Sequence, residues 1–108
     1  MDRAFTFPFQ NLDVYRLARS VCRQVRSMAW PAGSAHLKDQ ATRAADSMVL
    51  NIAEGWGRGW RTKAGRNHFR IAKGSAGEVF AVLDILELDG RLVDELQRVG
   101  AMLGRLTG

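Results

Sequence analysis

The stretch Asp89-Gly90-Arg91-Leu92-Val93-Asp94-Glu95-Leu96-Gln97-Arg98-Val99-Gly100-Ala101-Met102-Leu103-Gly104-Arg105-Leu106 decides how the rest of the chain is read. Its apolar residues Leu92, Leu96, Val99, Leu103 and Leu106 recur alternately every four and three positions. That spacing lines one side of a helix, whereas a half-buried strand would alternate every second residue. Asp89-Gly90 ahead of it reads as a tight turn, so the segment is a helix with a defined start and a packing seam.

Working back toward the N-terminus, the same three-and-four spacing recurs between two further breaks, Trp30-Pro31-Ala32-Gly33-Ser34 and Gly55-Trp56-Gly57-Arg58-Gly59. A first helix is expected to pack Tyr15, Ala18, Cys22, Val25 and Ala29 inward, with Asn11 as its N-cap. In a second, Ser34 is expected to cap a helix burying Leu37, Ala41, Ala44, Ala45, Met48 and Ile52. The third opens on Thr62 and buries Phe69, Ala72, Ala76, Val79, Leu83 and Leu86. No window shows β-branched alternation over strand length. Four amphipathic helices with short connections predict an all-α, up-down antiparallel four-helix bundle in a single domain spanning residues 1–108. Val14, Leu17, Val21 and Met28 widen the first apolar face beyond what three neighbouring helices need, which argues for a homo-oligomer.

Composition narrows the function classes. The 108 residues carry 16 Lys+Arg against 11 Asp+Glu, a formal charge of +5. Cys22 is alone, so no intramolecular disulfide framework can form. No apolar run approaches the ~18 residues of a membrane span, and Met1–Gln10 lacks the apolar core of a secretory leader, so a cytoplasmic protein without membrane partner is expected. The charge is also segregated. Residues 55–75 hold Arg58, Arg61, Lys63, Arg66, Arg70, Lys73 and His68 without an acid, while residues 76–95 hold Glu78, Asp84, Glu87, Asp89, Asp94 and Glu95 against Arg91. The first block points to an anionic partner, the second to an acidic face or a neighbouring subunit.

On the second helix Gln40, Arg43, Ser47, Asn51 and Glu54 fall within an arc of roughly 80° bordering the apolar face, and Gly55 follows as a residue able to close a helix in the left-handed conformation. The stripe reads as a structural hydrogen-bond network, with Glu54 pairing Arg43, and not as a catalytic site. On the third helix Lys63, Arg66, Arg70 and Lys73 share another arc of about 80°. Before them lie Trp56 and Trp60. Two roles are open to these rings: stacking on unpaired bases beside phosphate-gripping Arg58 and Arg61, or sealing the end of the bundle. The small-residue run Gly74-Ser75-Ala76-Gly77 predicts close approach of another helix, with Ser75 bonded to backbone, or else a kink or a ligand groove. Glu78 is a candidate partner for Arg43 or another cation.

Enzyme signatures are missing. His36 and His68, the two histidines, have no Cys or carboxylate at metal-ligand spacing, and no Glu-x-x-His pair occurs. His68 is expected at the surface and Cys22 as an inert thiol. The glycines at 55, 57 and 59 follow a helix and lack a Gly-Lys-Ser/Thr ending, so neither phosphate-loop fingerprint fits. No cofactor, metal or catalytic residue is expected.

Gln40-Ala41-Thr42-Arg43-Ala44-Ala45-Asp46-Ser47, Asn51-Ile52-Ala53-Glu54-Gly55-Trp56-Gly57-Arg58, and then Phe69, Ala72, Gly74-Ser75 and Glu78, with the opening Phe9-Gln10-Asn11-Leu12-Asp13-Val14-Tyr15, resemble the family of 23S rRNA intervening-sequence proteins. The resemblance implies a small helical bundle, commonly a ring-shaped homopentamer without known enzymatic activity. It also implies kinship to the accessory variability proteins of diversity-generating retroelements, basic pentamers that work with a reverse transcriptase and its RNA. The leading functional expectation is therefore RNA or DNA binding, or ribonucleoprotein binding, through residues 55–75. An oligomeric scaffold with a protein partner is the alternative.

Overall fold

The structure is a computed structural model that describes residues 7–108, so the first six positions of the stretch read for a leader lie outside it. A short 3-10 turn over Pro8–Asn11 leads into four helices: α1 (Asp13–Ser27), α2 (Ala35–Gly57), α3 (Lys63–Ile85) and α4 (Arg91–Thr107). Among the described residues there is no strand. Each helix packs on two neighbours in the closed order α1, α2, α3, α4 and back to α1. Antiparallel pairing follows from the contacts. On α2, Ser47 meets Ser75 while Asn51 meets His68. The α3–α4 pair brings Lys73 to Gly104, and Asp84 lies with Val93 at the opposite end. This is the up-down four-helix bundle that the apolar spacing predicts.

A single core joins Val14, Ala18, Val21 and Val25 of α1 to Met48 and Ile52 of α2, Phe69, Val79 and Leu83 of α3, and Leu96, Val99 and Leu103 of α4. The α1 face is rotated from expectation. Val14 and Val21 are core, whereas Tyr15 and Cys22 sit half-buried on its edge. The smaller valines fit the crowded centre, and the thiol and phenol stay at the rim, where Cys22 donates to Asp46 Oδ1 at 3.3 Å. The extra width read from Val14, Leu17, Val21 and Met28 is therefore taken up inside the chain. Asn11 does not cap α1; Leu12 holds that position and Asn11 accepts a bond from Arg16. Ala29 lies beyond the helix, which ends at Ser27 with the Trp30 indole N–H donating to the Val25 carbonyl at 3.1 Å.

Ser34 occupies the N-cap position of α2, yet its hydroxyl turns back to the Pro31 carbonyl. Thr62 behaves as the sequence predicts. Its Oγ accepts from the Gly65 N–H at 3.0 Å and caps α3. α3 ends with Leu88 N–H on the Leu83 carbonyl and Glu87 N–H on the Asp84 carbonyl, a Schellman closure in which Glu87 takes a φ of 55°.

Candidate nucleic-acid interface

The α2–α3 corner positions the basic segment, and glycines shape it. Gly55 is not the residue that closes α2. It lies buried within the helix, where a Cβ would stand 2.8 Å from the Phe69 ring. The chain instead turns at Gly59, whose φ is +98°. Gly65, in the first turn of α3, supports the Gly55 and Gly59 carbonyls so closely that a Cβ there would collide with both. Close approach of the two helices fixes Thr62 as cap and projects α3's first turns beyond the corner.

Trp56, in the last turn of α2, is half-buried and lines a recess with Leu12, Val14, Met102 and Leu106, so it closes this end of the bundle. Trp60 lies parallel to it, ring centroids 5.9 Å apart and planes 9° apart, and is 39% exposed. The Arg61 guanidinium stands 4.4 Å from the Trp60 centroid. The corner is thus a stacked pair with an inner ring that packs and an outer ring that faces solvent.

The six cations are not equivalent. Arg58 Nε donates to Glu54 Oε2 at 2.9 Å, and Arg66 Nη1 donates to the Arg61 carbonyl at 2.6 Å. Lys63, Arg66, Arg70 and Lys73 enter none of the ion pairs among the described residues. They share one flank of α3 by their spacing, and the Lys73 ammonium at its end lies near Gly104 of α4. From Lys63 to Lys73 the ridge covers about 15 Å at the helical rise, the span of about four or five phosphates along one duplex strand.

The α2 stripe divides. Arg43 pairs with Asp39 at 3.1 Å, and Glu54 with Arg58. The expected Arg43–Glu54 pair does not form, since eleven residues of helix hold them about 16 Å apart. Gln40, Ser47 and Asn51 are half-buried. Ser47 Oγ accepts from Ser75 Oγ at 3.1 Å and from Asn51 Nδ2 at 3.2 Å, while Asn51 Oδ1 lies 2.9 Å from His68 Nδ1. Asn51 Oδ1 can only accept, so Nδ1 of His68 carries the proton. His68 is therefore a half-buried member of this seam and not a surface residue, and Ser75 bonds a side chain and not backbone. Both stand on the edge of α3 turned to α2, seven residues apart, which a helical projection of α3 placed beside the stripe reveals.

Other sequence expectations fall away from the site. No described residue comes within 4 Å of a Cβ built at Gly74 or Gly77, so no helix packs tightly on either glycine. Glu78 is exposed and pairs with neither Arg43 nor another cation among the described residues. No three His, Cys, Asp or Glu side chains converge as a metal site among the described residues, and no described helix is long and apolar enough to cross a membrane.

A comparison with protein families matches residues 10–103 to the 23S rRNA-intervening sequence proteins. Searches of curated proteins and of solved structures found no match. A match over most of the chain, together with four helices in the expected order, settles the kinship: this chain belongs to the 23S rRNA-intervening sequence protein family.

Proposed function

We propose that this protein is a non-enzymatic, cytoplasmic, oligomeric protein that binds nucleic acid or a ribonucleoprotein through the Gly55–Ser75 corner and helix. One observation carries the reading: four cations without acidic partners among the described residues lie in a row on α3, next to a partly exposed tryptophan. Like charges in a row repel unless an anion lies alongside, and a polyphosphate backbone is an anion with a matching repeat. Arg58, Arg61, Lys63, Arg66, Arg70 and Lys73 position the backbone, while Trp60, stacked on Trp56 and covered by the Arg61 guanidinium, offers a face to an unpaired base once Arg61 turns to a phosphate. The resemblance supports a homopentamer and service as a reverse-transcriptase accessory. Exposed Leu50 and Ile71, on the outer sides of α2 and α3, are apolar surface a neighbouring copy would cover.

A salt titration with labelled single- and double-stranded RNA and DNA tests the reading. Four phosphate contacts per protomer give a slope of log affinity against log salt of about −3 for single strands. Replacing Arg66 and Arg70 together by alanine should flatten that slope and weaken all sequences alike. Trp60→Ala should weaken single strands more than duplex. Unchanged affinity in the double variant would remove the ridge from the function and leave the scaffold reading, with a protein partner on the acidic face.

A further inference from the structure

We infer that the groove between α3 and α4 around Gly77 and Gly100 is a pocket for one unpaired nucleobase, whose phosphate is held by Lys73. The inference rests on the nucleic-acid reading and assigns it a second, sequence-sensing contact, distinct from the tryptophan corner.

Gly77 and Gly100 lie inside regular helices, where glycine is the poorest residue short of proline. No described residue comes within 4 Å of a Cβ built at either position, so close packing does not account for them. They border an open groove of about 350 Å³. That lies at the small end of the range of about 300–1,000 Å³ for ligand pockets, room for one nucleotide and not for a duplex. Ala76, Leu96 and the half-buried Phe80 line it with apolar side chains. Exposed Gln97 also lines the groove, and its amide is both donor and acceptor, as reading a base edge requires.

Charge sets the direction of entry. Lys73 borders one end, its Nζ 3.8 Å from the Cβ position of Gly104, and it is the last cation of the ridge. At the other end Phe80 and Gln97 also border a second recess, which holds Asp84, Glu87, Asp89 and Asp94. A strand following the ridge meets Lys73, then an apolar slot, then carboxylates that repel its next phosphate. A single base can turn into the slot while the backbone stays on the basic side. No strand can continue along the groove.

Gly77→Leu combined with Gly100→Leu tests this, because leucine favours helix and fills the slot. Anisotropy of labelled octamers of A, C and U, with a duplex of the same length, is measured for the parent, the filled-groove variant, Gln97→Leu and the Arg66/Arg70 double alanine variant, with melting temperatures alongside. The filled groove should weaken single strands about tenfold or more, comparable to loss of one stacked base. Duplex affinity and melting temperature should not fall. Gln97→Leu should narrow the differences among A, C and U. Parent-like single-strand binding by the filled-groove variant, with binding lost in the double arginine variant, would overturn the pocket and leave the ridge standing. A parent that binds none of the strands would overturn both.

Discussion

Gly65→Ala is the perturbation that tests the α2–α3 corner. A methyl group at this position would collide with the Gly59 carbonyl oxygen and stand 2.8 Å from that of Gly55, where ordinary contact begins at 3.4 Å. Both neighbours are backbone, one in α2 and one in the connecting turn, so no side-chain rotation relieves the overlap. Overpacking of this kind costs about 3 kcal/mol, the upper end of its usual range. Moving the first turn of α3 also breaks the Thr62–Gly65 cap, worth about 1 kcal/mol, while alanine returns about 1 kcal/mol of helix propensity. The balance is a loss of about 3 kcal/mol, or on the order of 10–20 °C in melting temperature for a domain of this size. Gly77→Ala is the matched control. It adds the same methyl to the same helix in open space and should raise stability by about 1 kcal/mol. Thermal and urea unfolding at one protein concentration, followed by circular dichroism, read both. A Gly65→Ala protein melting within about 3 °C of the parent would show that the corner yields, and that close backbone approach does not hold the basic segment in place.

Two further predictions concern polar contacts between helices. Glu95 on α4 takes hydrogen bonds from Arg91 at 2.9 Å, Ser20 at 2.9 Å and Gln24 at 2.8 Å, and these hold its carboxyl below the usual glutamate range although burial pushes the other way. A lowered folded value means that this stability is complete above the unfolded value of about 4.3 and drains away as pH falls through the folded one. Urea midpoints measured from pH 6 down to about pH 3 should fall less steeply for Glu95→Gln than for the parent; identical slopes would refute the contribution. On the other side of α1, burial and then the Asp46 carboxylate push the Cys22 thiol above its ordinary value, against the pull of Arg26. Alkylation by a maleimide at pH 7.5 should therefore be slow and should quicken in Asp46→Asn, where the carboxylate is gone and Arg26 remains; a slower variant would refute the assignment.

Helix identity and number were readable because periodicity is a property of each segment alone. Leu96, Val99 and Leu103 are buried where the three-and-four spacing puts them, and Phe69, Ala72, Ala76, Val79 and Leu83 likewise. The errors arise where a residue's role depends on a second helix. The break at residues 55–59 contains three glycines, and the sequence alone does not distinguish the one that turns the chain from the one pressed against a neighbouring helix. Gly59 turns, Gly55 is pressed, and Gly65, outside the break, completes the contact. The α1 face slipped by one position for the same reason. Valines and the Tyr15/Cys22 pair both keep helical spacing, and the crowding of the bundle centre decides between them.

The polar residues show the same dependence more sharply. A stripe on one helix states which groups need partners but not where the partners are, and Ser47 and Asn51 find theirs on Ser75 and His68 across the interface. The basic ridge is the opposite case, and it was legible for that reason. Lys63, Arg66, Arg70 and Lys73 sit on one flank because of their spacing in a single helix. What the fold adds is the surroundings of the last of them: α4 presents Gly100 and Gly104 beside Lys73, and a glycine flank next to a cation is a surface to which a phosphate backbone can draw close. Lys73 stands near Gly104, and the carboxylates of the 84–94 segment gather at the far end of the same groove. The segregation of charge along the sequence thereby becomes a direction along one surface, from a basic end to an acidic end.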